Sequence, residues 1–217
     1  MIRYDKILFV TIISTWLILF SPVQATTPSV LASVLEKGFP ADLKELSQTT
    51  EQLYAEYQSS HQILALIFYA YGLLQQADDY QSRNDYVHAA ANAKLGFFFL
   101  DEAVDLHPDD LRVHYLRARI DAYLPAKLGR CVITLQDTEL LHNTKTALSQ
   151  ALAAQINYMR YRALNNCRLP KQAQAWLTQL TPYDAEFSQL LQLKPNRSPA
   201  WAMAEIMQIM MPLMKGE

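Results

Sequence analysis

The chain has 217 residues, of which 51 % are hydrophobic and 18 % charged, with 19 basic against 21 acidic side chains and a net charge of −2. This length suffices for one domain with a sizeable core. A mildly acidic chain without a basic run argues against a nucleic-acid or anionic-lipid surface.

Residues 1–25 read as a secretory signal peptide. Arg3 and Lys6 precede an uncharged apolar run, Ile7 to Phe20, and Pro22 breaks it before Val23 and Ala25 at the −3 and −1 positions of a cleavage site. The apolar run falls short of the roughly 20 residues needed to span a bilayer, so cleavage rather than membrane anchoring is expected. The mature chain is then 192 residues with 17 basic and 20 acidic side chains, periplasmic or secreted, and without membrane insertion once the signal is removed. In an oxidising compartment an even cysteine count favours a Cys131–Cys167 disulfide, the alternative being two separate buried thiols.

After the signal, every segment reads as helix. The chain holds only 5 glycines, and apolar residues recur at three- and four-residue steps rather than in strand-like alternation. The segment after Pro40 carries Leu43, Leu46, Leu53 and Tyr57 on one face, and 26–60 reads as an N-terminal helical cap. "ILALIFYAYGLL" is apolar all round, which predicts a helix buried among others. Polar "QQADDYQSRND" (75–85) is expected to break the pattern. Helices are predicted over Tyr86–His107, Asp109–Tyr123, Lys127–Leu141, Thr144–Cys167, Lys171–Leu180, Asp184–Leu193 and Ser198–Met214. Asp109, Asp110 and Ser198 serve as caps and Pro199 as a first helical residue. The fold class is all-α.

Residues 100–124, "LDEAVDLHPDDLRVHYLRARIDAYL", resemble the junction between two tetratricopeptide (TPR) repeats. Ala103, Leu106 and Pro108 match the inter-repeat turn, while Gly96 and Ala118 match the small residues where paired helices approach closely. The resemblance implies antiparallel helix pairs stacked as a short superhelical array over about 61–182, closed by C-terminal capping helices over 183–217. A 34-residue period carries Ala103 to Asp137, Pro108 to His142 and Ala118 to Leu152, which do not repeat the pattern. In such a stack the cysteines, 36 positions apart, come to lie on neighbouring units.

Catalytic signatures are missing: there is no Gly-rich phosphate loop, no Gly-x-Ser-x-Gly elbow, no His-Glu-x-x-His and no Cys-x-x-Cys. No cofactor and no catalytic or metal residue is therefore expected. His107 and His114 flank one turn and read as surface or capping residues, and Asp101, Glu102 and Asp105 as a solvated face. Arg112, Tyr115, Arg119 and Tyr123 share a helical stripe, and Tyr158, Tyr161 and Asn165 lie on the later long helix beside Asn157 and Arg160. By the resemblance these seven are candidates to line a groove for another protein or peptide, since Arg and Tyr suit such contacts. The bland alternative packs the tyrosines between helices and turns the arginines to water. The Met-rich tail "WAMAEIMQIMMPLM" reads as a terminal helix docked on the last repeat. The expected function is an exported, non-catalytic interaction or scaffolding module. The rival is a helical bundle enclosing a small apolar ligand, lined by runs such as "LGFFFL".

Overall fold

A computed structural model describes residues 29–144, 148–180, 185–193 and 198–216. The signal-peptide expectation falls outside them. The described residues form helices α1 (Val30–Lys37), α2 (Leu43–Ser60), α3 (Ile63–Ser82), α4 (Tyr86–Leu106), α5 (Leu111–Asp121), α6 (Cys131–Asn143), α7 (Gln150–Asn166), α8 (Pro170–Leu180) and α9 (Ala185–Leu190). A short α10 (Met203–Glu205), a π-helical turn (Ile206–Met210) and α11 (Met211–Lys215) complete them. The fold is all-α, and no strand occurs among the described residues.

Short polar side chains start these helices by accepting first-turn amides. Ser29 accepts from Ala32, Asp42 from Lys44 and Glu45, Asp85 from His88, Asp110 from Arg112, and Ser149 from Leu152. Consecutive helices then pack side by side, α2 on α3, α3 on α4, α5 on α6 and α6 on α7, with α8 and α9 both resting on α7. The apolar "ILALIFYA" start of α3 is central, with Leu64, Ala65, Leu66 and Ile67 at 0 % exposure.

Gly96 is where α4 comes closest to α3. A Cβ there would lie 2.9 Å from the Leu74 Cγ and 3.0 Å from the carbonyl oxygen of Ala70. The latter is backbone and cannot swing aside. Gly96→Ala is therefore expected to lower stability by about 1–2 kcal/mol, the overpacking cost outweighing the roughly 1 kcal/mol that alanine gains in helix propensity. A lower urea midpoint at unchanged m would show it, and a stabilised variant would refute the close approach.

Ahead of the tail, three helix boundaries depart from the sequence-based expectation. The polar stretch 75–85 does not break α3, which runs to Ser82 because Gln76 and Ala77 keep one face buried while Asp79 pairs with Arg83 one turn on. Helix α6 begins at Cys131 rather than Lys127, since a 3₁₀ turn (Ala126–Leu128) ends at Gly129 in the left-handed region (φ 74°). Helix α7 begins only after its cap at Ser149.

The tail differs most. Ser198 does not open a helix, because its hydroxyl and the Pro199 carbonyl accept hydrogen bonds from Arg119. Nor does the tail dock solely on the last helices. It crosses back to α5 and α3, where Met210 and Leu213 join the main core, Trp201 packs against Phe68 and Tyr71, and Gln62 Nε2 donates to the Met214 carbonyl. In a linear array each unit touches only its neighbours, and this return breaks that rule.

Candidate functional site

The face of α5 that carries the predicted stripe is turned inward at its centre. Arg119 is 1 % exposed and Glu205 0 %. The Arg119 Nε donates to Glu205 Oε1 at 2.8 Å, Nη1 to Ser198 Oγ at 3.0 Å and Nη2 to the Pro199 carbonyl at 3.1 Å. Its guanidinium lies between the rings of Tyr123 (4.5 Å to the centroid) and Trp201 (4.8 Å). Tyr115 is equally buried and donates to Glu205 Oε1 at 2.9 Å, and burial holds its hydroxyl well above the usual tyrosine range. The second oxygen, Oε2, accepts from the Ala202 amide at 2.7 Å. Tyr115 and Arg119 are thus corrected from groove residues to core residues that fix the tail. Arg112 lies apart from them, its Nε and Nη2 donating to both oxygens of Asp110 at 2.9 and 2.8 Å.

The other four candidates come together. Tyr123, Tyr158, Tyr161 and Asn165 all line a cavity of about 1470 Å³. Its opposite wall is made by α3 and α4, through Tyr71, Leu74, Asp78 and Ala93 among others. The rings of Tyr123 and Tyr158 lie 6.3 Å apart, and Tyr161 meets Phe187 edge-on at the same separation. Arg162, which sequence reasoning passed over, covers the Tyr123 ring at 4.4 Å and donates through Nε to the Ala122 carbonyl. The Tyr123 hydroxyl is buried without a hydrogen-bond partner, and burial pushes its pKa up to about 12. Asn165 is exposed at the rim, its Nδ2 donating to the Tyr161 carbonyl at 2.9 Å.

A second cavity of about 760 Å³ lies at the α4–α5 turn. Leu106, Leu111, Leu141, Leu152 and Ile209 are among its apolar walls, and His107 to Asp110, Arg112 and Tyr115 also line it.

Between α4, α5 and α6 lies a cluster of charges that periodicity did not reveal. Arg130 donates through Nη1 and Nη2 to Asp101 (2.8 and 2.7 Å) and through Nε to Asp121 (2.9 Å). Arg117 grips Asp137 with Nε and Nη2, both at 2.8 Å, and reaches Asp101 with Nη1 at 3.2 Å. His114, only 8 % exposed, bonds Asp137 and the Pro108 carbonyl. Three basic side chains face three carboxyl groups, so the expectation of a surface His114 is corrected, while Asp101 keeps partial exposure to water but is tied into the same network. Complete burial pushes the Asp121 carboxyl up to about 7, against the pull of Arg130. At Asp101 partial burial, which raises the pKa, is outweighed by the hydrogen bonds and charges of Arg130 and Arg117, which together hold it below the usual carboxylate range.

The cysteines flank this cluster. Cys131, next to Arg130, is joined to Cys167 at the end of α7, with Cα atoms 5.5 Å apart. Among the described residues no group of three His, Cys, Asp or Glu side chains is placed to hold a metal ion, and no helix is long and apolar enough to cross a membrane. No protein-family profile, curated protein or solved structure matches this chain.

Proposed function

We propose that this chain is an exported, non-catalytic interaction module, related in design to tetratricopeptide arrays, whose larger cavity holds a segment of another polypeptide. The size and lining of that cavity carry the reading. At about 1470 Å³ it exceeds the roughly 300–1,000 Å³ of a small-molecule pocket. Tyrosines share that lining with Asn165, Asn166 and Gln75, offering apolar area together with donors and acceptors for a peptide backbone. The Cys131–Cys167 bridge supports an oxidising compartment, hence periplasmic or secreted placement. Nucleic acid is not an expected partner of a chain with net charge −2.

A second reading, a carrier of a small apolar ligand, is favoured by the smaller cavity, whose 760 Å³ lies within the small-ligand range. One experiment separates the two. A photo-reactive residue at Asn165, inside the groove rim, is expected to form one dominant protein adduct in the native cell envelope, whereas the same group at exposed Lys44 is expected to form none. The adduct should fall at least tenfold when Tyr161 is replaced by Ala, the loss typical of an aromatic anchor. Equal labelling at both positions would sink the peptide reading. A small molecule released from the purified protein, with no adduct at Asn165, would establish the carrier.

A further inference from the structure

We infer that His114 is a proton-dependent latch that clips the α4–α5 turn to α6, and that losing its proton loosens the wall of the smaller cavity. The inference rests on hydrogen-bond bookkeeping and is independent of what the larger groove holds. The Nδ1 of His114 lies 2.8 Å from Asp137 Oδ1, and Nε2 lies 2.9 Å from the carbonyl oxygen of Pro108. A carbonyl only accepts, and Asp137 already takes two N–H bonds from Arg117. Both ring nitrogens must therefore carry hydrogen, which is the imidazolium form.

A neutral ring has one N–H to give. The carboxylate of Asp137 is the stronger acceptor and keeps it on Nδ1. The Nε2 lone pair then faces the Pro108 oxygen at hydrogen-bond distance, and that contact turns from attractive to repulsive. Pro108 belongs to the turn His107–Asp110, all four residues of which line the smaller cavity. Within the turn the Asp110 N–H donates to the His107 carbonyl, and the His107 N–H ties it back to the Val104 carbonyl. Asp110 accepts from the first-turn amides of α5 and from the Arg112 side chain, so among these contacts His114 provides the side-chain link onward to α6.

The charges facing His114 are Asp137 on α6, which favours its proton, and Arg117 on α5, which opposes it. Behind them stand Asp101 on α4, Arg130 at the start of α6 and Asp121 on α5, while His107, Asp109 and Asp110 lie in the turn itself. Loss of the His114 proton removes one positive charge from a cluster whose remaining cations, Arg117 and Arg130, face Asp101, Asp121 and Asp137. The hydrogen bond to Asp137 leads the upward shift of the His114 pKa, opposed by burial. A raised pKa means that the latch is closed below the ordinary histidine value and opens as pH rises through the higher folded value. Asp121, pushed up to about 7, also loses a proton over this range, so a variant at Asp121 is needed to tell the two titrations apart.

The test is ¹⁵N-detected imidazole NMR with amide exchange on the oxidised protein, between about pH 5 and pH 9, spanning the histidine range. Both His114 nitrogens should be protonated at the ordinary histidine pKa, with a midpoint above 6.5. Exchange of the Asp110 and Val113 amides should accelerate by about tenfold beyond intrinsic base catalysis through the same midpoint, with α3 unchanged. His114→Gln should abolish this step, and Asp121→Asn should shift it without removing it. A midpoint at or below 6.5, turn exchange following base catalysis alone, or a step that disappears in Asp121→Asn while His114 still titrates would each overturn the latch.

Discussion

Replacing Arg119 by Met is expected to cost about 3–5 kcal/mol of stability, more than most single changes in a domain of this size, because it strands a buried carboxylate. Glu205 is 0 % exposed and would retain only the Tyr115 hydroxyl and the Ala202 amide as partners. Restoring charge balance should recover much of the loss: Arg119→Met with Glu205→Met is expected to be more stable than Arg119→Met alone, since an apolar pair can replace a buried ion pair at little net cost. Urea unfolding of the two single variants and the double variant gives the coupling directly. Additive losses would show that the pair does not act as a unit. Limited proteolysis supplies a local readout, because Arg119 also holds Ser198 and Pro199 and stacks on Trp201. Cleavage near 198–202 should precede global unfolding in Arg119→Met, since the tail's return to α5 depends on this residue.

This node also marks the limit of what the sequence discloses. Helical spacing places Arg112, Tyr115, Arg119 and Tyr123 on one stripe, but spacing is silent on whether a stripe faces water or protein. The partner that decides it, Glu205, lies 86 positions away. One local cue existed: Glu205 is the lone acid in the apolar, Met-rich run "WAMAEIMQIMMPLM", a setting where a carboxylate is buried and needs a cation. Asp121 in "ARIDAYL" is a similar cue for Arg130. The same logic applies to Asp137, which falls where a repeated Ala103 would be small and buried. It remains buried but holds Arg117 and His114 instead. What was legible followed from local chemistry, in the helical periodicity and the Asp110 cap, and from the tetratricopeptide resemblance, which marked Gly96 as a point of close approach. What was not legible came from contacts between distant segments, namely the inward face of α5 and the tail's crossing to α3. In the larger cavity, Tyr123, Tyr158, Tyr161 and Asn165 meet because α5 and α7 also pack against each other, whereas Arg112 sits at the other end of α5, beside the second cavity.

Reducing the Cys131–Cys167 bridge is expected to lower stability by nearly as much as breaking the buried ion pair, through a different mechanism. The bridge closes a loop spanning 36 positions, and restricting that loop in the unfolded chain corresponds to about 4 kcal/mol on the chain-entropy account. The comparison is urea unfolding of the protein with and without a dithiol reductant, beside the Cys131→Ala, Cys167→Ala double variant, which should match the reduced protein and ignore the reductant. A difference below about 1 kcal/mol would mean that the reduced, unfolded chain already keeps these two segments close, leaving little entropy for the bridge to remove. Location adds a second expectation. Arg130 adjoins Cys131 and places its guanidinium on Asp101 and Asp121, while Cys167 ends the helix that carries Tyr158, Tyr161 and Asn165. The bridge therefore couples the charge cluster to the wall of the larger cavity. Reduction should raise amide exchange first at the start of α6 and the end of α7, ahead of α3 and α4, whose close contact at Gly96 does not involve the bridge. Uniform acceleration along the chain would instead show that the bridge acts only on the unfolded state, and that the cavity wall is held by the packing of α6 against α7 alone.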